Sequence, residues 1–90
     1  MFLVFVMRYY LYVLYSKQID RYYVGATQDI EQRLLSHLSN HGGYTSRVKD
    51  WLVVYQEVFA SKKEAYEREK QVKSWKSRKM IEKMISLTKG

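Results

Sequence analysis

Residues 9–26, YYLYVLYS KQIDR YYVGA, decide the fold. The run at 9–16 is rich in aromatic and β-branched residues and has no helical periodicity, so it predicts a β-strand. The polar run at 17–21 predicts a turn, and residues 22–26 predict a second strand, which together give an antiparallel hairpin. Side-chain alternation separates two faces of the first strand: Tyr10, Tyr12 and Leu14 on one, and Tyr9, Leu11, Val13 and Tyr15 on the other.

A helix is predicted directly after the hairpin, over residues 29–39. Asp29 and Gln32 stand three residues apart, as the two members of a capping box do. An apolar stripe follows at helical spacing, formed by Ile30, Leu34 and Leu38. Residues 40–46 (NHGGYTS), with their paired glycines, predict the loop that ends this helix.

The second half of the chain predicts one strand and two helices. Residues 51–59 (WLVVYQEVF) predict the strand, and residues 61–74 and 77–87 predict the helices. The order β-β-α-β-α-α predicts an α+β fold, with a small three-stranded, mostly antiparallel sheet and helices packed on it. We expect an apolar N-terminal extension at 1–7, one domain at 8–87 and a short tail at 88–90.

The N-terminal run MFLVFVM is apolar, but it is much shorter than the about 20 residues that cross a bilayer. It also lacks the basic start and the small-residue cleavage site of a signal peptide. Two interpretations of this run are open: it packs loosely on the domain, or the true start of the protein is Met7. The chain has no cysteine, which excludes disulfides and thiolate metal sites and suits a reducing compartment. We therefore expect a cytoplasmic protein with no membrane partner.

The net charge of +7 is spread unevenly over the 90 residues. Residues 61–90 hold ten Lys or Arg against four Glu, whereas residues 1–60 hold six against five acidic residues. A one-sided basic segment attracts a polyanion, because neutralising phosphates releases condensed counterions. A solvated helix face that only maintains solubility is the alternative. We expect nucleic acid as the partner.

Two tyrosines and one glycine of the hairpin form the first group of candidate site residues. Tyr12 and Tyr23 fall on adjacent strands, and Gly25 stands inside the second strand. Strand interiors avoid glycine unless another backbone or a ligand comes close. Each tyrosine taken alone is more simply an ordinary half-buried strand residue, since the chain has nine of them.

Arg33 and His37 lie one turn apart, beside the apolar stripe of the first helix. The planar, permanently charged guanidinium is the side chain that best matches a phosphate. A plain surface arginine fits the helix position equally well. Three roles are open for His37: a proton relay, a phosphate contact and an ordinary solvent-facing helix residue.

Glu69 shares a helix face with Ala65 and Val72, the face that is predicted to pack inward. A carboxylate in such a place is costly unless it is paired or bound to a cation. A hard divalent cation that keeps several waters suits a single carboxylate. The simpler interpretation is a salt bridge to Lys73 at i+4.

The triplets Tyr10-Leu11-Tyr12 and Tyr23-Val24-Gly25 resemble the two signature triplets of the GIY-YIG nuclease superfamily. The first triplet has tyrosine and leucine where the family has glycine and isoleucine. The second has valine where the family has isoleucine. Three later runs are similar to the arginine-bearing helix, the later strand and the acidic helix of the family: GATQDIEQR at 25–33 with His37 following, WLVVY at 51–55 and AYEREKQVKSWKSRK at 65–79. The resemblance is closest to the stand-alone bacterial endonuclease branch, whose members consist of this domain alone.

The resemblance implies a role for each matching residue. Tyr12 positions or deprotonates the attacking water, and Tyr23 hydrogen-bonds the water on the metal or the scissile phosphate. Arg33 stabilises the charge that develops on the phosphoryl group. Glu69 is the single protein ligand of one Mg²⁺ or Mn²⁺ ion, and the lack of a second carboxylate in the pattern favours a one-metal mechanism.

A wider set of residues is expected to contact the nucleic-acid backbone: Tyr44, Thr45, Lys73, Lys76, Arg78 and Lys79. Tyr44 and Thr45 resemble a loop common in this branch, and they fit equally a role in ordering that loop. Trp75 is predicted to pack between the last two helices rather than to stack on a base.

The function implied is that of a DNA endonuclease that needs a divalent metal and no small-molecule cofactor. Branched or single-stranded DNA is the expected substrate, and exposed aromatics suggest a weak homodimer. Two alternatives remain: a nucleic-acid-binding module of the same fold with little turnover, and a scaffold that uses a tyrosine-rich surface for a protein partner. An inward-facing carboxylate at Glu69 favours catalysis, because a binding module has no need of one.

Overall fold

The computed structural model describes residues 7–39 and 43–87. Its elements follow the predicted order β-β-α-β-α-α, with a 3₁₀ turn before the third strand. The strands are β1 (Tyr9–Ser16), β2 (Arg21–Thr27) and β3 (Leu52–Phe59), the helices are α1 (Ile30–Leu38), α2 (Lys62–Ser74) and α3 (Arg78–Leu87), and the 3₁₀ turn is Gly43–Arg47. The predicted α+β class and element order are confirmed.

The three strands form one sheet in the order β2-β1-β3, and both pairings are antiparallel. In the β1–β2 pair, Tyr12 lies opposite Gly25 and Leu14 lies opposite Tyr23. Residues opposite each other point to the same face of a sheet, so the candidate tyrosines share one face. The β1–β3 register shifts between Val13 and Leu14, where β3 contributes one extra residue.

The sheet separates two hydrophobic clusters, as the alternation along β1 predicts. Leu11 and Val13 pack against α2 and α3 residues on one face, including Val72 and Met84. Tyr12 and Leu14 pack on the other face against the apolar stripe of α1 and against Trp51. The candidate site therefore grows out of the α1 side of the sheet. None of the helices in the described ranges is long and apolar enough to cross a membrane.

All three predicted helices begin one residue later than predicted, because the expected first residue is the cap. The Asp29 side chain accepts a hydrogen bond from the Gln32 backbone N–H, and Ser61 does the same for Glu64. In a capping box the Asp29 backbone N–H would donate to the Gln32 side chain. Here it donates to Thr27 Oγ1 instead. Of the predicted terminal segments, residues 1–6 and 88–90 lie outside the described residues, as do residues 40–42 of the predicted loop.

Candidate active site

Gly25 makes room for the Tyr12 ring. A Cβ built on Gly25 would overlap the Tyr12 hydroxyl and the ring carbon that bears it. Tyr12 is only 1% exposed, so its ring has no alternative place to go. The glycine inside β2 is thus explained by the close approach of a side chain across the strand pair, which brings the phenol into the site.

A chain of hydrogen bonds leads from Tyr12 into the protein. The Tyr12 Oη lies 2.7 Å from His37 Nε2, and His37 Nδ1 lies 2.8 Å from Thr45 Oγ1. The indole Nε1–H of Trp51 donates to the Thr45 carbonyl at 2.7 Å. His37 and Thr45 are each 1% exposed. These hydrogen bonds fix the imidazole between a phenol on β1 and a hydroxyl in the 3₁₀ turn.

The buried position of His37 corrects one alternative from the sequence: it is not a solvent-facing residue. Helix α1 rests on the sheet through its apolar stripe, and His37 is on the part of its surface that faces Tyr12 and Tyr23. Thr45 is also not exposed to a substrate, because it is occupied by His37 and closed off by Trp51. It orders the loop, as the second of its two predicted roles requires.

Burial sets the protonation of both groups in the pair. It raises the pKa of the Tyr12 phenol to about 12, and the adjacent Arg33 guanidinium offsets only part of this rise. Burial also lowers the pKa of His37 to about 4, with a further contribution from the positive charge of Arg33. At neutral pH a neutral phenol therefore faces a neutral imidazole, so the Tyr12 hydroxyl can donate a hydrogen bond to the lone pair of His37 Nε2.

Tyr23 stands on the other side of the imidazole. Its ring meets the His37 ring edge-on at a centroid distance of 4.7 Å, and it meets the Trp51 ring at 6.5 Å. The Lys73 ammonium lies 5.8 Å from the centroid of the Tyr23 ring. Helix α2 thus reaches the edge of the site through Lys73.

Arg33 places the only permanent positive charge of α1 next to the two phenols. Hydrogen bonding to Tyr12 and the nearby Tyr23 phenol raise the pKa of Arg33 above its usual value. The side chain itself is exposed to solvent. A guanidinium that hydrogen-bonds to Tyr12 and is also open to solvent can bind a phosphate.

Glu69 supplies the negative charge of the site. Its carboxylate is close enough to Tyr12 to contribute to the raised pKa of that phenol. The side chain is 21% exposed, and its Oε2 accepts a hydrogen bond from Lys73 Nζ at 2.7 Å. The salt bridge that the sequence offered as an alternative is therefore present, and it lies within the site rather than away from it.

The donor set fits a loosely held hard cation. Within residues 7–39 and 43–87, no group of three or more His, Asp or Glu side chains could hold a metal ion. A single half-buried carboxylate beside hydroxyl groups suits a cation such as Mg²⁺, which keeps most of its waters and takes a further ligand from a substrate phosphate. Glu69 is the residue that fits this role.

The predicted contacts with a nucleic-acid backbone lie in different surroundings. Lys73 borders the site, Lys79 is exposed in the first turn of α3, and Lys76 lies between α2 and α3 with a positive φ of 49°. Tyr44 is 48% exposed, and the Arg47 guanidinium lies 5.5 Å from the centroid of its ring. Trp75 packs in the cluster that includes Val72 and Ile81, as predicted.

Arg78 has a structural role that the sequence does not indicate. It donates to Asp20 Oδ1 at 2.5 Å and to the Asp20 carbonyl at 3.0 Å, and its guanidinium lies 5.3 Å from the centroid of the Tyr22 ring. Asp20 holds a positive φ of 52° in the turn between β1 and β2. Arg78 thus ties α3 to the hairpin turn, and hydrogen bonding to Arg78 lowers the pKa of Asp20 to about 2.

A family model of the GIY-YIG catalytic domain matches residues 8–83 of the chain. This chain belongs to the GIY-YIG family. The family is a nuclease family whose members generally depend on a divalent metal. The resemblance carried by the two tyrosine triplets is confirmed, and the convergence of Tyr12, Tyr23, Arg33 and Glu69 agrees with it.

Two curated GIY-YIG relatives cover nearly the same stretch of chain. The UPF0213 protein of Staphylococcus haemolyticus is 37% identical over 79 residues, which are 87% of this chain and 94% of that protein. The UPF0213 protein of Staphylococcus saprophyticus is 35% identical over 80 residues, which are 88% of this chain and 95% of that protein. No solved structure matches the chain significantly.

The sequence predicts only part of the role of two residues that support this GIY-YIG site. It assigns Trp51 only to the start of a strand, and it leaves Thr45 open between a substrate contact and a role in ordering the loop. Both act through contacts between segments that are separated in the chain. A tryptophan before a strand of smaller residues is the one sequence signal for a large buried anchor at this point.

Proposed function

We propose that this chain is a divalent-metal-dependent endonuclease that hydrolyses phosphodiester bonds in DNA. The observation that carries the proposal is the Tyr12–His37 hydrogen bond, which joins a buried phenol to a buried neutral imidazole at the place where Arg33 and Glu69 converge. This arrangement offers an oriented phenol, a positive charge and a carboxylate within one small site.

Tyr12 positions the attacking water. The Tyr12 hydroxyl donates to His37 Nε2, so a lone pair on Oη is free to accept a hydrogen bond from the water and orient it. The water oxygen forms the new bond to phosphorus and releases its proton to solvent, and the leaving oxygen departs with the electron pair of the broken bond. Thr45 accepts the hydrogen bond of Nδ1–H, which holds the imidazole in the tautomer whose Nε2 accepts from Tyr12.

Arg33 and Tyr23 act on the phosphate. The Arg33 guanidinium stabilises the negative charge that builds on the non-bridging oxygens, and preorganised charges of this kind contribute much of the rate of phosphoryl transfer. The Tyr23 phenol donates a hydrogen bond to the same group. One Mg²⁺ or Mn²⁺ ion, held by Glu69, would supply Lewis-acid polarisation of the phosphate and stabilisation of the leaving oxygen.

The substrate contacts outside the site follow the charge of α2 and α3. We assign Lys73, Lys76 and Lys79 to the DNA backbone, together with the exposed ring of Tyr44. Arg78 is left out of this set, because its guanidinium is held by both the carboxylate and the carbonyl oxygen of Asp20. Lys73 stays in it, because it borders the site and its partner is Glu69, the proposed metal ligand. The absence of cysteine supports placing this activity in the cytoplasm.

The proposal is tested by a cleavage panel with a matched pair of variants. Supercoiled, single-stranded and branched DNA are incubated with the wild-type protein in Mg²⁺, in Mn²⁺ and in EDTA. Glu69→Ala removes the proposed metal ligand, and Glu67→Ala removes an exposed carboxylate from the same helix. We expect metal-dependent cleavage by the wild type and by Glu67→Ala, and a loss of at least 100-fold in Glu69→Ala.

Each contrary outcome has a definite meaning. Unchanged cleavage by Glu69→Ala would contradict the assignment of the metal to that carboxylate. DNA binding without metal-dependent cleavage of any substrate would overturn the nuclease proposal in favour of a binding module. A wild-type protein that ignores DNA even at low salt would favour a protein-interaction scaffold.

A further inference from the structure

One stripe of α2 runs from the candidate site out to an exposed aromatic ring. At 100° per residue, positions 62, 66, 69 and 73 fall within about 60° of one another on the helix surface. Lys73 and Glu69 are paired at 2.7 Å at the edge of the site, next to Tyr23. Tyr66 and Lys62 continue the stripe towards the N-terminus of α2, and neither was among the residues predicted to contact a substrate.

Tyr66 presents a flat aromatic surface to solvent. Its ring is 45% exposed, and the Lys62 ammonium lies 5.4 Å from the ring centroid. The buried residues of α2 are Ala65 and Val72, so Tyr66 is not part of the core. The lysine limits the movement of the ring and puts a positive charge beside it.

Tyr66 is a neighbour of Glu69 on the surface of α2. The two residues are three positions apart, which puts their Cβ atoms about 5–6 Å from each other. Successive bases on one strand are about 3.4 Å apart when stacked and farther apart when the strand is extended. A strand whose phosphate lies at Glu69 and Arg33 therefore brings a neighbouring base to Tyr66.

We propose that the Tyr66 ring, backed by Lys62, is a stacking platform for an unpaired base next to the scissile phosphate, so that the preferred substrate is single-stranded DNA. This inference rests on the proposed function, because the site around Glu69 defines where the scissile phosphate lies. A base within a duplex has both faces covered by its neighbours and cannot stack on a side chain, whereas an unpaired base can. Lys62 contacts the next phosphate along the strand.

A second ring of the same kind lies in the 3₁₀ turn. Tyr44 is similarly exposed and also has a cation, Arg47, over its ring. It directly precedes Thr45, which holds His37 in place. Tyr44 would receive a second unpaired base.

Binding measured without cleavage separates this inference from the proposed function. A fluorescein-labelled single-stranded 12-mer of mixed sequence and the matching duplex are titrated in EDTA, with fluorescence anisotropy as the readout. Tyr66→Leu removes the aromatic face, Tyr66→Phe keeps it, and Lys63→Gln is the charge control for Lys62→Gln because it changes a lysine on a different side of α2. Thermal melting by circular dichroism confirms that each variant is folded.

We expect Tyr66→Leu to weaken single-strand binding by about 5- to 150-fold, the range for loss of one stacked base, and to leave duplex binding within twofold. Tyr66→Phe and Lys63→Gln stay within twofold of the wild type on both probes, and Lys62→Gln loses more than Lys63→Gln does. Single-strand binding by Tyr66→Leu within twofold of the wild type would overturn the platform, and so would equal losses on single strand and duplex. If the cleavage panel fails while Tyr66→Leu still loses single-strand binding, the proposed function falls and the platform remains.

Discussion

Tyr12 and Gly25 face each other across the β1–β2 pair, and the ring of Tyr12 fills the space that a side chain at position 25 would need. The ring is buried, and its hydroxyl is held by His37. Neither partner can therefore move aside at low cost. The position of the phenol depends on the absence of a Cβ on the neighbouring strand.

Gly25→Ala is expected to reduce cleavage by at least 100-fold and to lower the free energy of unfolding by about 1–3 kcal/mol, because the added methyl displaces the Tyr12 ring. Gly43→Ala is the matched control. Its Cβ would meet nothing within 4 Å, although its φ of +62° disfavours alanine by about 1 kcal/mol. Cleavage and urea unfolding are measured for both, and full activity in Gly25→Ala would contradict the steric argument.

Thr45→Val should act through His37 rather than through the substrate. The valine keeps the shape of threonine but leaves His37 Nδ1 without its partner, so we expect a loss of about 10-fold or more in kcat with little change in KM. The unpaired ring nitrogen also costs about 1–3 kcal/mol of stability. Thr45→Ser retains the hydroxyl and should restore both quantities. A change confined to KM would instead indicate contact with DNA.

Arg33→Lys tests the shape of the positive charge. A lysine keeps the charge but loses the planar fork, so it cannot hold Tyr12 and a phosphate together. We expect kcat to fall by about 100-fold while DNA affinity at fixed salt changes by less than threefold. Arg33→Ala should lose more than Arg33→Lys does. Near-normal turnover in Arg33→Lys would show that charge alone suffices.

Stability should fall in mild acid because of His37. Burial lowers the pKa of this residue from 6.5 to about 4, so between these values the unfolded chain binds a proton that the folded chain does not. The contribution of His37 is therefore complete above pH 6.5 and is lost as the pH falls towards 4, by about 1.4 kcal/mol per pH unit. Urea unfolding of the wild type and His37→Gln at several pH values measures this slope. Equal slopes in the two proteins would contradict it.

Arg78→Gln distinguishes a structural arginine from one that binds DNA. The guanidinium is held by Asp20 and also reaches Glu82, so its loss should loosen the hairpin turn. All partners are exposed, and we expect at most about 1 kcal/mol of lost stability. The salt dependence of DNA binding should stay that of the wild type, whereas Lys79→Gln should reduce its slope by about one. A reduced slope in Arg78→Gln would return Arg78 to the DNA-binding set.

The parts of the fold that depend on neighbouring residues were predictable from the sequence. The aromatic and β-branched content of residues 9–16 predicted the strand, and side-chain alternation along it predicted which residues share each face. Asp29 and Ser61 marked the beginnings of α1 and α2, because a cap bonds to a backbone N–H only three residues away.

The missing parts of the site depend on contacts between distant residues. The spacing of Arg33 and His37 gives one helix face, but only the packing of α1 on the sheet buries His37 against Tyr12. Thr45 lies in a segment without periodicity, so nothing in its surroundings predicted that it would turn towards His37 rather than solvent. Arg78 resembles its lysine neighbours, and its partner Asp20 is 58 residues away.

Because β1 lies between β2 and β3 in the sheet, its two partner strands are synthesised at different times, one before and one after α1. Tyr12 pairs early with Gly25 in β2, but its other neighbour, Gln56 in β3, is made only after α1. Pairing between distant segments is slow, because closing a long loop costs entropy before any contact is gained. Glu69 comes later still, on α2. Under the proposed mechanism, a growing chain carries both tyrosines and Arg33 before it has its carboxylate, so it cannot cut DNA until most of the protein has left the ribosome.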